Sequence, residues 1–171
     1  MFGIGVAAYG TAVLGRTTLG VAGLTAVEHF QAKASIIATF VTLQLLVYTA
    51  MQIPAGVLLD RYGPRRMVSL GLLVMGAGQI VMALADSVSV AIPGRMILGA
   101  GDAFVFSSVV RLLPSWFPAK QVPIVTQLIG LAGQAGQIVS ALPFAWLLAA
   151  RGWEIAFGAV SVVALVAAAA A

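Results

Sequence analysis

The sequence has no cysteine and only one histidine, His29. Disulfides and thiolate metal sites are excluded, and a single imidazole cannot build a metal centre by itself. Charge is scarce too, with nine Lys and Arg and five Asp and Glu making up 8% of 171 residues. Set beside 61% hydrophobic residues and a mean hydropathy of +1.08, that scarcity excludes a soluble globular domain. The net charge of +4 does not indicate nucleic acid as a partner, because the basic residues stand singly or in the breaks between apolar runs. No Ser/His, Cys/His or paired-acid grouping is present, which argues against an intramembrane hydrolase or transferase, and no cofactor is expected. The first apolar run lacks a basic leader and is long enough to span a bilayer, so a cleavable signal peptide is not expected either.

What the chain does have is six apolar runs, at 2–26, 35–59, 67–86, 90–112, 122–149 and 155–171. Most approach the ~20 residues that cross ~30 Å of hydrocarbon, and the sixth is short. They are continuously apolar instead of alternating, which predicts helices and not barrel strands. The expected fold class is therefore an all-α polytopic membrane protein with six transmembrane helices. Lys and Arg concentrate in the second and fourth breaks, placing those on the cytoplasmic side and the N-terminus with them. Trp116 is expected at the cytoplasmic interface, and Trp146 and Trp153 at the outer one.

The densest charge lies between Gly56 and Val68, in Gly-Val-Leu-Leu-Asp-Arg-Tyr-Gly-Pro-Arg-Arg-Met-Val. Asp60, Arg61, Arg65 and Arg66 must sit in water between two apolar segments. Gly56 and Gly63 let two helix ends approach closely, and Asp60 is placed to pair with an arginine or with a helix N-terminus. As a group these residues closely resemble the loop between the second and third helices of the major facilitator superfamily, Gly-x-Leu-Ala-Asp-Arg-x-Gly-Arg-Lys. Leu59 replaces a small residue of that pattern and Pro64 a basic one, which implies a stiffer hairpin. Leu113-Pro-Ser-Trp-Phe-Pro-Ala-Lys is similar to the family's Trp-Phe-Pro loop, and Arg151-Gly-Trp-Glu-Ile-Ala-Phe to the start of its sixth helix. The resemblance covers nearly the whole chain and implies the N-terminal six-helix half of a twelve-helix transporter. Each such half is built from inverted three-helix repeats, and substrate binds near the midplane between the halves.

Ionisable residues within the spans are costly unless they face a cavity or a partner, and Arg16, Arg95 and Asp102 are of this kind. Arg95, Gly99 and Asp102 recur at steps of four and three on one helix face. About 10 Å of rise separates the two charges, too far for direct pairing. Arg95-Met-Ile-Leu-Gly-Ala-Gly resembles the family's Arg-x-x-Gln-Gly-x-Gly, whose arginine is associated with proton coupling. Leu98 and Asp102 depart from that pattern. The structural alternative is an Arg95 bonded to neighbouring carbonyls and balanced by Asp102. Arg16 stands where many family members carry Asp-Arg-x-Asn, but Gly15 replaces the acid, so Arg16 either binds an anion, or reaches the outer headgroups or pairs with Asp102. Arg111, near a helix end, is expected to snorkel.

Gln44, Tyr48 and Gln52 form a polar stripe on the second run, and Gln127, Gln134 and Gln137 one on the fifth. Most of these amides are expected to act as interhelical glue at ~0.6 kcal/mol each. The expected function is secondary active transport of a small solute, an organic anion on the reading of Arg16, by alternating access in the plasma membrane. The expected substrate contacts are Arg16, Asp102, Gln134 and Tyr48. Proton coupling falls to Asp102 and Arg95, and gating to the hairpin of Gly56, Asp60, Arg61, Gly63 and Arg65. The partners are the solute, protons, the lipid bilayer and a second six-helix half. Two alternatives are drug efflux, disfavoured because the fifth run lacks the antiporters' Gly-Pro-x-x-Gly-Gly ending, and a half-protein inactive alone.

Overall fold

A computed structural model describes the backbone of residues 2–115 and 117–171, and their side chains apart from 2–6, 115 and 132. The expected interfacial Trp116 lies outside the described residues. Five α-helices account for almost everything else: α1 (Phe2–His29), α2 (Ala34–Tyr62), α3 (Pro64–Ala83), α4 (Val88–Leu112) and α5 (Val122–Ala170), with a 3-10 turn at Leu113–Ser115. No strand occurs among the described residues.

The 49-residue α5 is broken at Gly152, where φ is 80° and ψ is −176°. In a straight helix Phe144 and Phe157 would lie about 20 Å apart. Their ring centroids are 5.3 Å apart, so the chain folds back at Gly152. The two limbs correspond to the separate runs expected at 122–149 and 155–171. Among the described residues four helices are long and apolar enough to cross a membrane, namely α2, α3, α4 and α5. The 28-residue α1 is not among them, because Arg16, Thr17 and Thr18 interrupt its apolar sequence. Large apolar side chains are exposed around the outside, Leu24, Ile53, Leu142 and Trp146 among them, as lipid-facing helices require.

The link between α2 and α3 is the single residue Gly63, whose φ of 78° favours glycine, and Pro64 starts α3 where its missing N–H costs nothing. The turn is tight, yet the two helices diverge. α2 packs mainly on α4, and α3 on α4 and α5. Glycines decide this: a Cβ on Gly101 would fall 2.6 Å from the Gly71 carbonyl oxygen, and one on Gly78 2.9 Å from that of Gly94. On the opposite face of α4, a Cβ on Gly99 would run into the Gln44 carbonyl of α2. Gly56 was expected to permit close approach, but a Cβ there meets nothing within 4 Å.

The core runs through Leu19, Phe40, Leu72, Met75, Leu98 and Phe157, with a smaller cluster of Leu59, Met67 and Phe104 near the α2–α3 turn. At the opposite end an aromatic knot closes the bundle. Trp153 stacks on His29 at 4.6 Å and donates its indole N–H to the Met82 carbonyl at 2.7 Å, while His29 Nε2 donates to Ala85 O at 3.0 Å. Of the two tryptophans expected at the outer interface, Trp146 is exposed. Trp153 is buried, because its N–H finds a partner inside the bundle.

Candidate functional site

The site begins with Arg16, midway along α1. Its Nη2 donates to Asp102 Oδ1 of α4 at 2.8 Å, joining two residues 86 positions apart. The pair is unequal in its access to water: the Asp102 side chain is 3% exposed and that of Arg16 34%. The pairing of Arg16 with Asp102 that the sequence allowed is present in the structure. The Arg16 guanidinium carbon also lies 5.6 Å from the ring centroid of Tyr48 on α2, within cation–π range. Tyr9, two turns before Arg16 on α1, lies within electrostatic range of both Arg16 and Tyr48. Its ring rests against Gly133 of α5, where a Cβ would fall 2.6 Å from Tyr9 Cε1, and lies 6.2 Å from that of Phe106. Arg16, Asp102, Tyr48 and Tyr9 thus converge from α1, α2 and α4, with α5 alongside.

Arg95 belongs to a second, drier cluster. It is fully buried and donates from Nη1 to Thr18 Oγ1 at 3.3 Å, and its Nε and Nη2 have no hydrogen-bond partner among the described residues. Thr18 Oγ1 donates to the Gly15 carbonyl at 2.9 Å, and Gln79 Nε2 donates to the same oxygen at 3.2 Å. The alternative in which Asp102 balances Arg95 is not realised, because the carboxylate faces Arg16. The helical rise already argued against a direct Arg95–Asp102 pair.

The α2 stripe also divides. Gln44 is buried, Tyr48 faces Arg16, and Gln52 accepts a hydrogen bond from Ser107 Oγ of α4 at 2.9 Å, as interhelical glue does. Gln134 is exposed, and no hydrogen bond ties it to the ion pair among the described residues. In the hairpin, Asp60 accepts from Arg111 Nη2 at 2.7 Å, linking the end of α2 to the end of α4. Arg111 was expected only to snorkel, and instead it finds this carboxylate. Arg61 lies over the Tyr62 ring at 5.4 Å, and Arg65 Nε donates to the Ala171 carbonyl at 2.8 Å.

Sequence reasoning missed Tyr9 and Gln79. Tyr9 lies seven residues before Arg16, hence on the same helix face. Gln79 is the one amide in the 20 residues of α3. Either spacing or scarcity was a usable signal.

Long apolar helices packed through glycines, with an ion pair buried among them, define a polytopic membrane protein with a polar interior. Residues 5–171 match the Major Facilitator Superfamily, and the chain belongs to that family. It is 28% identical over 152 residues to the probable L-galactonate transporter of Escherichia coli K12, covering 89% of this chain and 34% of that protein. It is 26% identical over 157 residues to the probable galactarate/D-glucarate transporter GarP of the same strain, covering 88% and 35%. The xylose transporter XylE from E. coli, solved in an inward-open conformation, superposes with a TM-score of 0.71 at 18% identity, over 96% of this chain and 46% of XylE. These relatives are transporters, not enzymes. The chain spans about a third of the length of the two sugar-acid transporters it matches.

Proposed function

We infer that the chain forms the N-terminal six-helix half of a secondary transporter that carries a small organic anion across the plasma membrane, with its N-terminus in the cytoplasm. A second six-helix half would complete the central site, and alternating access would follow from rocking of the two halves. The observation that carries this reading is the Arg16–Asp102 pair at 2.8 Å. The Asp102 carboxylate is 3% exposed and costly to leave charged and unpaired, so the site has two balanced states. In one, the carboxylate of Asp102 holds Arg16. In the other, Asp102 is protonated and a substrate carboxylate takes its place on the guanidinium, so proton and anion enter together, as in a symporter. Tyr48 and Tyr9 would wall the anion, while Gln134, exposed on α5, would contact the part of the solute that faces the second half. Arg95 would hold the neighbouring stretch of α1 through Thr18 as protons are loaded and released. Galactonate, galactarate and glucarate, named for the two relatives, are carboxylates, which favours an anion over the drug-efflux alternative.

The test uses the full-length protein in proteoliposomes. Arg16→Lys keeps the charge but loses the planar fork that grips a carboxylate. Uptake of a sugar-acid anion should fall at least about tenfold. Equal uptake by wild type and Arg16→Ala would overturn the assignment.

A further inference from the structure

The chain's single histidine stands in the aromatic knot at the end of the bundle away from the α2–α3 turn. The His29 ring lies nearly parallel to the Trp153 indole, with centroids 4.6 Å apart and an angle of 10° between the planes. Phe30 meets both edge-on, 4.8 Å from His29 and 5.2 Å from Trp153. Trp153 is buried and its N–H is spent on the Met82 carbonyl, whereas His29 is exposed, so protons from water reach the imidazole. The Ala85 carbonyl can only accept, so the Nε2 bonded to it carries a proton in both the neutral and the charged ring. Nδ1 has no hydrogen-bond partner among the described residues, which makes it the atom that takes a second proton, and it does so without turning the ring. We propose that His29 is a pH-sensitive clasp, whose protonation tightens the junction of α1, α3 and the second limb of α5.

A neutral imidazole stacked on an indole is held by dispersion alone. An imidazolium in the same place is also attracted by the ring quadrupole, and indole is the strongest aromatic partner for a cation. The bond to Ala85 strengthens too, because the N–H of a charged ring is the better donor. Both gains fall on contacts that cross between elements. His29 ends α1, Ala85 lies just past α3, and Trp153 begins the limb that folds back at Gly152. The charged groups in the segments that meet here are Glu28 and Lys33 on either side of His29, Asp86 after Ala85, and Arg151 and Glu154 flanking Trp153, all exposed. The first turns of α2 and α4 carry none. No ion pair joins His29 to any of these groups among the described residues, and three carboxylates against two bases do not oppose a positive ring. His29 stands about 20 Å along α1 from Arg16, so the clasp works apart from the buried ion pair.

The experiment uses the full-length protein labelled with fluorotryptophan, the Trp153 resonance being identified by its loss in Trp153→Phe. Between about pH 8 and about pH 5, the range in which histidine changes charge, that resonance should move along a one-proton curve. Amide hydrogen exchange of residues 29–33 and 150–154, corrected for the intrinsic rate at each pH, reads the clasp itself. The open fraction should be about threefold lower at the acid end of the range. His29→Gln keeps an N–H donor and His29→Phe keeps the aromatic stack, and neither titrates, so both should show a fixed resonance and equal protection throughout. A wild-type resonance that does not move would overturn the proposal, because the stacked ring would then not take up a proton. Equal protection of the wild type at both ends of the range would overturn it as well, since protonation would then leave the junction no tighter. A pH-dependent protection that survives in both variants would assign the effect to the neighbouring carboxylates and not to His29.

Discussion

Replacing Asp102 by asparagine separates the ion pair from its shape. The amide fills the same volume and still accepts a hydrogen bond from Arg16 Nη2, but it cannot carry or release a proton. The cost to folding should be modest, because the Arg16 side chain left behind is 34% exposed and keeps partial access to water. About 1 kcal/mol is reasonable for such a half-open pair. The reverse change, Arg16→Ala, strands a carboxylate that is 3% exposed and falls in the ~3–5 kcal/mol range of a broken buried pair. The effect on binding runs the other way. In the wild type an incoming anion must displace Asp102 from the guanidinium, and close charge pairs couple by about 1.5–7 kcal/mol. The partial exposure of Arg16 selects the low end, so removing the competitor should tighten anion binding about tenfold and erase its dependence on pH. Binding of a sugar-acid anion to the full-length protein, by calorimetry at several pH values, reads both effects. Uptake in proteoliposomes reads the consequence: pH-driven accumulation should vanish while anion exchange persists. If Asp102→Asn still concentrates solute under an imposed pH gradient, Asp102 is a structural counter-ion and coupling lies elsewhere. If its anion affinity is unchanged or weaker, the competition argument fails.

Three further changes test the frame around the pair. Gly99→Ala pushes a methyl group into the Gln44 carbonyl, a backbone atom that cannot rotate aside. Forcing α2 from α4 should cost about 1–3 kcal/mol, read as a lower unfolding temperature in detergent, whereas Gly56→Ala, with open space around it, should be close to neutral. An unfolding temperature equal to that of wild type for Gly99→Ala would show that the α2–α4 contact is not the close one. Asp60→Asn breaks an exposed pair with Arg111, in which both side chains are more than 60% exposed, so stability should change by under ~1 kcal/mol. Cysteine-accessibility labelling of both membrane faces should nevertheless shift, because the pair ties the ends of α2 and α4. Unchanged labelling would reduce it to an ordinary surface contact.

Composition and run length by themselves determined that this chain is a helical membrane protein and where its helices lie. The reason is that hydrocarbon accepts only segments whose backbone bonds close internally, so long apolar stretches have one available structure. The intramembrane charges were legible for a similar reason. Arg16, Arg95 and Asp102 are too costly in lipid to be there without partners. Which partner each takes was not legible. Periodicity ruled out an Arg95–Asp102 pair, but only the packing of α1 against α4 brings Arg16 to Asp102, across 86 residues. The same holds for the helix neighbours. The one-residue turn at Gly63 suggests that α2 and α3 lie together, whereas the glycines at 71, 78, 94, 99 and 101 set α4 between them. A glycine reads alike in sequence whether it admits a neighbouring backbone, as Gly101 does, or faces open space, as Gly56 does. Close approach is a property of two surfaces at once, and a single sequence displays each surface without its mate.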